Sequence, residues 1–463
     1  MAAEFDMRGV SPLRPRSVAR LWSVGVALVA VAALGLGGCS TVGDMFETQT
    51  KPKLPGERLS VMQLESKLAV DKDVAGDEIF LPDPVANDEW TQPGGNATNS
   101  YGNLEASGKL DRLWTSDAGS GSGSASRLVA SPIISGGKIF VLDSEAHVRA
   151  FDAKSGDKLW TVDLTPEDLD SSKARGGGIA FDDGKLFAAT GFGLVHALDP
   201  ASGKVLWTTN AVVPFRASPT AANGYVYVIT SDNQMICLDQ KTGTITWRHR
   251  GITEAAGILA ATSPAVTGSI VIAPYSSGEL FALRGENGTV LWSDSLTRTG
   301  NLTSLSELND IAGRPVVADD RVYAISHSGR FVSIDLRTGE RVWTRDIAGV
   351  QTPLISGDYV FLVTSDQEVV GMSNRDGRIH WIAKLPRWDD PDDKSGPIEW
   401  SGPLLINGKL LLVSSEGQGV TVDPLTGKAG EPFDIAGSTL IAPVEAGGIV
   451  YILTDNGTLE ALQ

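Results

Sequence analysis

The chain is predicted to fold as an all-β, eight-bladed β-propeller of four-stranded antiparallel blades, with the closing blade shared by both ends of the repeat array. Three observations predict it. A phrase of the form apolar-Asp-x-x-(Ser/Thr/Asn)-Gly-x-x-apolar-Trp occurs in seven copies, spaced about 45 residues apart, a period that marks a solenoid or propeller whose units bury their apolar faces only by stacking. Each period holds four short strand-like runs separated by turn residues. The two ends of the array each supply part of a unit and together make one.

The first full repeat shows the elements in order. Ser131-Pro132-Ile133-Ile134 is a short first strand, Lys138 to Asp143 a second, Val148 to Phe151 a third and Leu159 to Asp163 a fourth. The phrase between the third and fourth has a mechanism: its Asp can accept hydrogen bonds from the following N–H groups, and its Gly supplies the positive φ that closes a hairpin loop with a bulge. The Trp then falls in the fourth strand, where a large ring can fill the space between neighbouring sheets. The clearest copies end at Trp160, Trp207 and Trp247; three more end at Trp292, Trp343 and Trp381, with Arg284 and Ser373 replacing the Asp in two of them. The seventh, Asp423 to Gly427, leads to Phe433 in place of Trp.

The blade count rests on the ends. Trp114 closes a phrase with no earlier strands of its own, while Ile449 to Leu453 and Thr458 to Leu462 supply middle strands with no Trp strand after them. Joined, they complete the eighth blade and leave no open sheet edge.

The amino-terminal region has a different texture. Arg8, Arg14, Arg16 and Arg20 precede an apolar run from Leu21 to Leu36, and Gly37-Gly38-Cys39-Ser40 follows. Basic, then apolar, then small residues is the order of a secretory signal, with Met1 or Met7 as its start. The ending Leu36-Gly37-Gly38-Cys39 resembles a bacterial lipobox, which implies cleavage before Cys39, lipid on its sulfur and, with Ser40 next, release to the outer membrane. An ordinary signal or a spanning helix is the competing reading, but so short and Gly-rich a run is marginal for a span. The expected organisation is residues 1–38 as lipoprotein signal peptide, 39–86 as a tether touching the propeller near Leu59 to Leu64 and Ile79 to Leu81, and 87–463 as the propeller.

Composition narrows the function. The net charge of −17 argues against nucleic-acid partners and a broad anionic membrane face. With Cys39 lipidated, Cys237 is the remaining cysteine, at a strand position where other repeats carry Ala, and reads as a buried structural thiol. The five histidines lack catalytic spacing, and no zinc-protease, nucleophile-elbow or phosphate-loop motif is present. Asp389-Asp390-Pro391-Asp392-Asp393 lacks the glycine alternation of a calcium loop and reads as a solvated interblade loop. No catalytic residue, metal site or cofactor is expected.

The lipobox, the Trp90-Gln92-Gly95-Asn96 segment and the repeated phrases resemble the BamB family, lipoprotein propellers of the machine that folds β-barrel proteins into bacterial outer membranes. The repeats by themselves are shared with pyrroloquinoline-quinone (PQQ) dehydrogenase-like propellers, whose alcohol-oxidising branch stacks its quinone on adjacent cysteines that this sequence lacks. The resemblance implies a non-enzymatic scaffold of the β-barrel assembly (BAM) complex on the periplasmic side of the outer membrane, with a BamA-like barrel subunit as partner and unfolded outer-membrane proteins as further contacts. A periplasmic PQQ-dependent dehydrogenase or a ligand-sensing propeller is the alternative. It also implies a partner face on the loops flanking the fourth repeat, with Ile258, Leu259, Leu305 and Asp310 as contacts, Leu259 and Asp310 falling at an apolar and an acidic place. The sequence departs from the family at Ala260, where a basic residue is expected, and at Ala312, where a second acid is expected.

Overall fold

Eight four-stranded antiparallel sheets form the blades. The computed structural model describes residues 68–123, 126–174, 176–254, 262–297 and 309–463. Blade 1 is Ile133–Ser135, Lys138–Leu142, His147–Asp152 and Lys158–Asp163. Blades 2 to 7 occupy 177–210, 220–250, 265–295, 316–345, 354–384 and 400–434. Blade 8 pairs three strands from 444–462 with Arg112–Asp117, in the order expected for a shared closing blade.

Strand position explains strand composition. The second strand of a blade lies between two sheet neighbours and two blade neighbours, so Ile139 to Leu142 and Val226 to Ile229 are buried without alternation. The fourth strand is the rim, and it alternates exposed and half-buried residues, as in Lys158–Asp163. Apolar side chains therefore gather between adjacent blades rather than in one centre, for example Val195, Val228 and Ile236 between blades 2 and 3. Each such side chain contributes about 1.5–3 kcal/mol when fully buried.

The repeated phrase builds both a turn and a seam. Asp152 Oδ1 accepts from the backbone N–H of Lys154 at 3.0 Å and of Ser155 at 2.9 Å, and those bonds, Ser155 first, hold its carboxyl below the usual range. Asp199, Asp239, Asp335 and Asp423 repeat the pattern. The turn's Gly has φ near the left-handed value, +72° at Gly243, and its missing Cβ makes room for the Trp of the preceding blade: a Cβ there would lie 2.6 Å from Trp207 Cε3. The Trp207 indole N–H donates to Gln240 O of that same turn at 3.0 Å. Trp160, Trp247, Trp292, Trp343 and Trp381 donate likewise to the next blade's turn. Across the sheet each Trp faces a small residue, Ala150, Ala197, Cys237, Ala282, Ser333 or Gly371 in blades 1 to 6. Cys237 is thus a small buried partner for Trp247, and burial pushes its thiol up to about 12.

Three features fill out the expected organisation, in which Ile79 is a contact of the tether, 389–393 an interblade loop and Phe433 the replacement for a Trp. Residues 68–86 belong to the compact unit Leu68–Gln463: Asp71 exchanges bonds with the backbone of Ile379, and Ile79 is 4% exposed. The acidic stretch at 389–393 is part of a two-stranded hairpin, Trp388–Asp390 with Ser395–Pro397, inserted between blades 6 and 7. Phe433 replaces Trp beside blade 8, where the corresponding turn is severed between Gln463 and Asp111, two chain segments that bond each other instead.

Candidate functional site

The first strands of the blades line the central channel and present unpaired backbone groups to it, as sheet edges do. Residues 87–107 satisfy them. Trp90 exchanges both backbone bonds with Ile134 of blade 1 at 2.8 Å. The Gln92 amide donates to Phe181 O and Ala221 O, each at 2.9 Å, and accepts from Ala221 N at 3.1 Å, joining blades 2 and 3. Val266 N of blade 4 donates to Ala97 O, and Val317 N of blade 5 to Thr98 O. Leu104 bonds Leu405 and Asn407 of blade 7, and Gly447 N of blade 8 donates to Asn87 O. Pro82, just upstream, lies against Gly357 of blade 6. The segment is a plug across one end of the channel.

Above the plug is a cavity of about 410 Å³. Trp90 and Tyr101, rings 4.8 Å apart, line it from the plug. Residues just before the first strands, such as Ser131, Arg314 and Thr352, line its walls together with Pro403 within the first strand of blade 7. These strands run from the interblade connections towards the plug, so the cavity lies at the end where the first strands begin.

Of those residues, Ile258, Leu259, Ala260 and Leu305, like Cys39, lie outside the described residues. Asp310 is 1% exposed. Its carboxylate accepts two bonds from Arg216, Nη2 to Oδ1 at 2.7 Å and Nη1 to Oδ2 at 3.1 Å, a bidentate geometry stronger than neutral hydrogen bonds. The pair links the approach to blade 3 with the approach to blade 5, across the Thr262-Ser263-Pro264 approach to blade 4. Asp310 is therefore engaged within the fold, not exposed as the acidic contact that was expected of it. Ala312 is buried at the cavity wall.

Sequence reasoning missed Arg216, Arg314 and the reach of the plug. A signal for Arg314 existed. The residue before the proline that begins a blade is Ser131, Ser218, Ser263, Thr352, Gly402 or Ala442 elsewhere, and Arg only here. Among the described residues, no three His, Cys, Asp or Glu side chains gather as a metal site.

An eight-bladed ring built on Asp-x-x-Ser/Thr-Gly turns and sealed by Trp seams defines the PQQ-like propellers. The solved structures agree on the fold: BamB from Moraxella catarrhalis superposes with a TM-score of 0.64 at 18% identity, covering 77% of this chain and 100% of that one. The quinohemoprotein alcohol dehydrogenase of Comamonas testosteroni gives 0.62 at 13% identity, covering 81% and 80%. Within that class the sequence is more specific. The profile of the family described as outer membrane protein assembly factor BamB matches residues 97–175 and 144–383, more than half of the chain, and the chain belongs to that family. The outer membrane protein assembly factor BamB of Yersinia pestis is 26% identical over 356 residues, 76% of this chain and 88% of its own length.

Proposed function

We propose that the protein is a non-enzymatic scaffold of outer-membrane β-barrel assembly, anchored through lipid on Cys39 to the periplasmic face of the outer membrane. Its propeller docks on a BamA-like barrel subunit and so aids insertion of β-barrel proteins, with incoming unfolded outer-membrane proteins as further contacts. The observation that carries this reading is the family match over residues 97–383. The docking face comprises the connections on either side of blade 4, with Ile258, Leu259 and Leu305 as apolar contacts. Asp310, buried and paired with Arg216, is left out of that set of contacts. No covalent chemistry is needed, and a few apolar anchors suffice for such an interface.

The test is co-purification of the barrel subunit with the full chain from detergent-solubilised membranes. Leu259→Ala combined with Leu305→Ala should leave thermal unfolding unchanged and remove the barrel subunit, since central apolar anchors are each worth about 1–3 kcal/mol. Undiminished co-purification would move the interface elsewhere on the ring. A dehydrogenase would instead retain stoichiometric quinone and turn over an alcohol or sugar with calcium and a dye acceptor; we expect neither.

A further inference from the structure

The central cavity holds a positive charge that the fold leaves unneutralised. Arg314 reaches it from the approach to blade 5 and crosses to the opposite side of the ring, where its guanidinium donates to Ser131 Oγ of blade 1 at 3.1 Å. A longer contact of 3.5 Å runs to Thr352 Oγ1 of blade 6. Neither partner is charged, and its Nε, shielded from solvent, has no acceptor. The side chain is half-buried, and the space it faces is the cavity. Burial pulls the guanidinium down to about 10, so it stays cationic at neutral pH. Tyr101, facing it from the plug, is no counter-ion: burial pushes its phenol up, and its hydroxyl donates to Pro403 O at 3.0 Å.

Buried guanidinium groups are as a rule paired with carboxylates or phosphates, whose geometry their fork matches. Arg216 on the same channel has Asp310. Arg314 has a cavity. Arg127 also lines that space, with Glu399 on the lining and Asp455 close enough to feel its charge, which leaves Arg314 as the lining cation with no carboxylate bonded to it. His327 Nδ1, on the same wall, is likewise enclosed and without a partner.

We propose that the cavity is a binding site for a small oxyanion, a carboxylate or a phosphate, seated against the Arg314 guanidinium between the hydroxyls of Ser131 and Thr352. The volume sets the size of the ligand. About 410 Å³ lies at the small end of the range for ligand pockets. A short dicarboxylic acid or inorganic phosphate fits; a folded partner reaches the site only through one acidic side chain or a chain terminus.

The experiment is calorimetric titration of the full chain in detergent at pH 7 and low salt, with succinate, inorganic phosphate and a short peptide carrying one Asp as separate probes. At least one free anion should bind at one per chain. Arg314→Gln should weaken it about tenfold or more, as loss of a charge-assisted bidentate contact does, while Arg314→Lys keeps part of the affinity. Tighter binding of the peptide than of either free anion would assign the carboxylate to a partner's side chain, and the reverse to a free ligand. A measurement on the unaltered chain covers the case in which the variants fail to fold: phenylglyoxal labelling of Arg314, read by mass spectrometry, should be suppressed by the bound anion. Absence of binding by all three probes, or labelling indifferent to them, overturns the proposal.

Discussion

The Tyr451 hydroxyl donates to Ala153 O at 3.0 Å, across the seam between the closing blade and blade 1. At the next six seams around the ring that carbonyl's counterpart is bonded by the Trp indole. Here the indole N–H of Trp114 finds no acceptor, although the ring still packs on Gly156 of the next turn. The seam that joins the two ends of the array thus keeps the packing of the others and replaces their hydrogen-bond donor.

The packing half of the seam can be tested alone. Gly243→Ala places a methyl 2.6 Å from Trp207 at φ +72°, and we expect a loss of about 2–5 kcal/mol from backbone strain plus overpacking. Gly137, at φ +71° with open space around it, serves as the control: Ala there should cost only the strain, about 1–2 kcal/mol. Denaturant unfolding of both variants decides it, and equal costs would remove the seam from the explanation.

A second expectation concerns pH. Glu445, where the plug meets blade 8, is buried beside Asn87, with Asp88 and Glu105 nearby, and burial lifts its carboxyl to about 7 from 4.5. The folded state therefore binds the proton more tightly than the unfolded state, so stability falls as pH rises through that interval and the penalty is complete above it. Glu445→Gln should gain about 1–2 kcal/mol on wild type between pH 4.5 and pH 8. His196 opposes this in the acid half of the window, because burial pulls it down to about 4 and acid destabilises a histidine held neutral. The readout is accordingly the difference between variant and wild type, followed by thermal unfolding across pH; a flat difference would count against the burial argument.

The anchor gives a third expectation. More than one acyl chain is needed for stable attachment, at about 0.8 kcal/mol per buried CH₂, and Cys39 is the residue the lipobox-like ending provides. Cys39→Ala should accumulate as an uncleaved precursor that takes up no labelled fatty acid. Normal processing with label retained would refute the assignment.

What could be read in advance was local. The Asp-to-Gly turn satisfies itself within five residues, as at Asp152 to Gly156, so the phrase carries its own structure and its count yields the blades. The small residue at this strand position was legible as Ala150, Ala197, Cys237 and Ala282, but that it faces the Trp was not, because strand register is a property of pairs. The plug was harder: residues 87–107 form no ladder with themselves and bond one blade after another, leaving no period to detect. The Asp310–Arg216 pair joins residues 94 apart in sequence, and nothing local marks either as the other's partner. The resemblance marked Asp310 as important, whereas its burial, which follows from the ring's closure, had no local sign.

Ring closure also constrains how the molecule can form. Asn87 meets Glu445 across 358 positions, and Arg112–Asp117 pairs with a strand ending at Leu462. Such contacts carry a large loop-closure entropy before they repay any of it, which slows folding. The early residues of the array must wait, unpaired and with their sheet edges open, until the final strands have been made. The interval between synthesis and closure is therefore when this chain is most exposed to edge-to-edge aggregation, and any chaperone that shields Arg112–Asp117 would act in that interval.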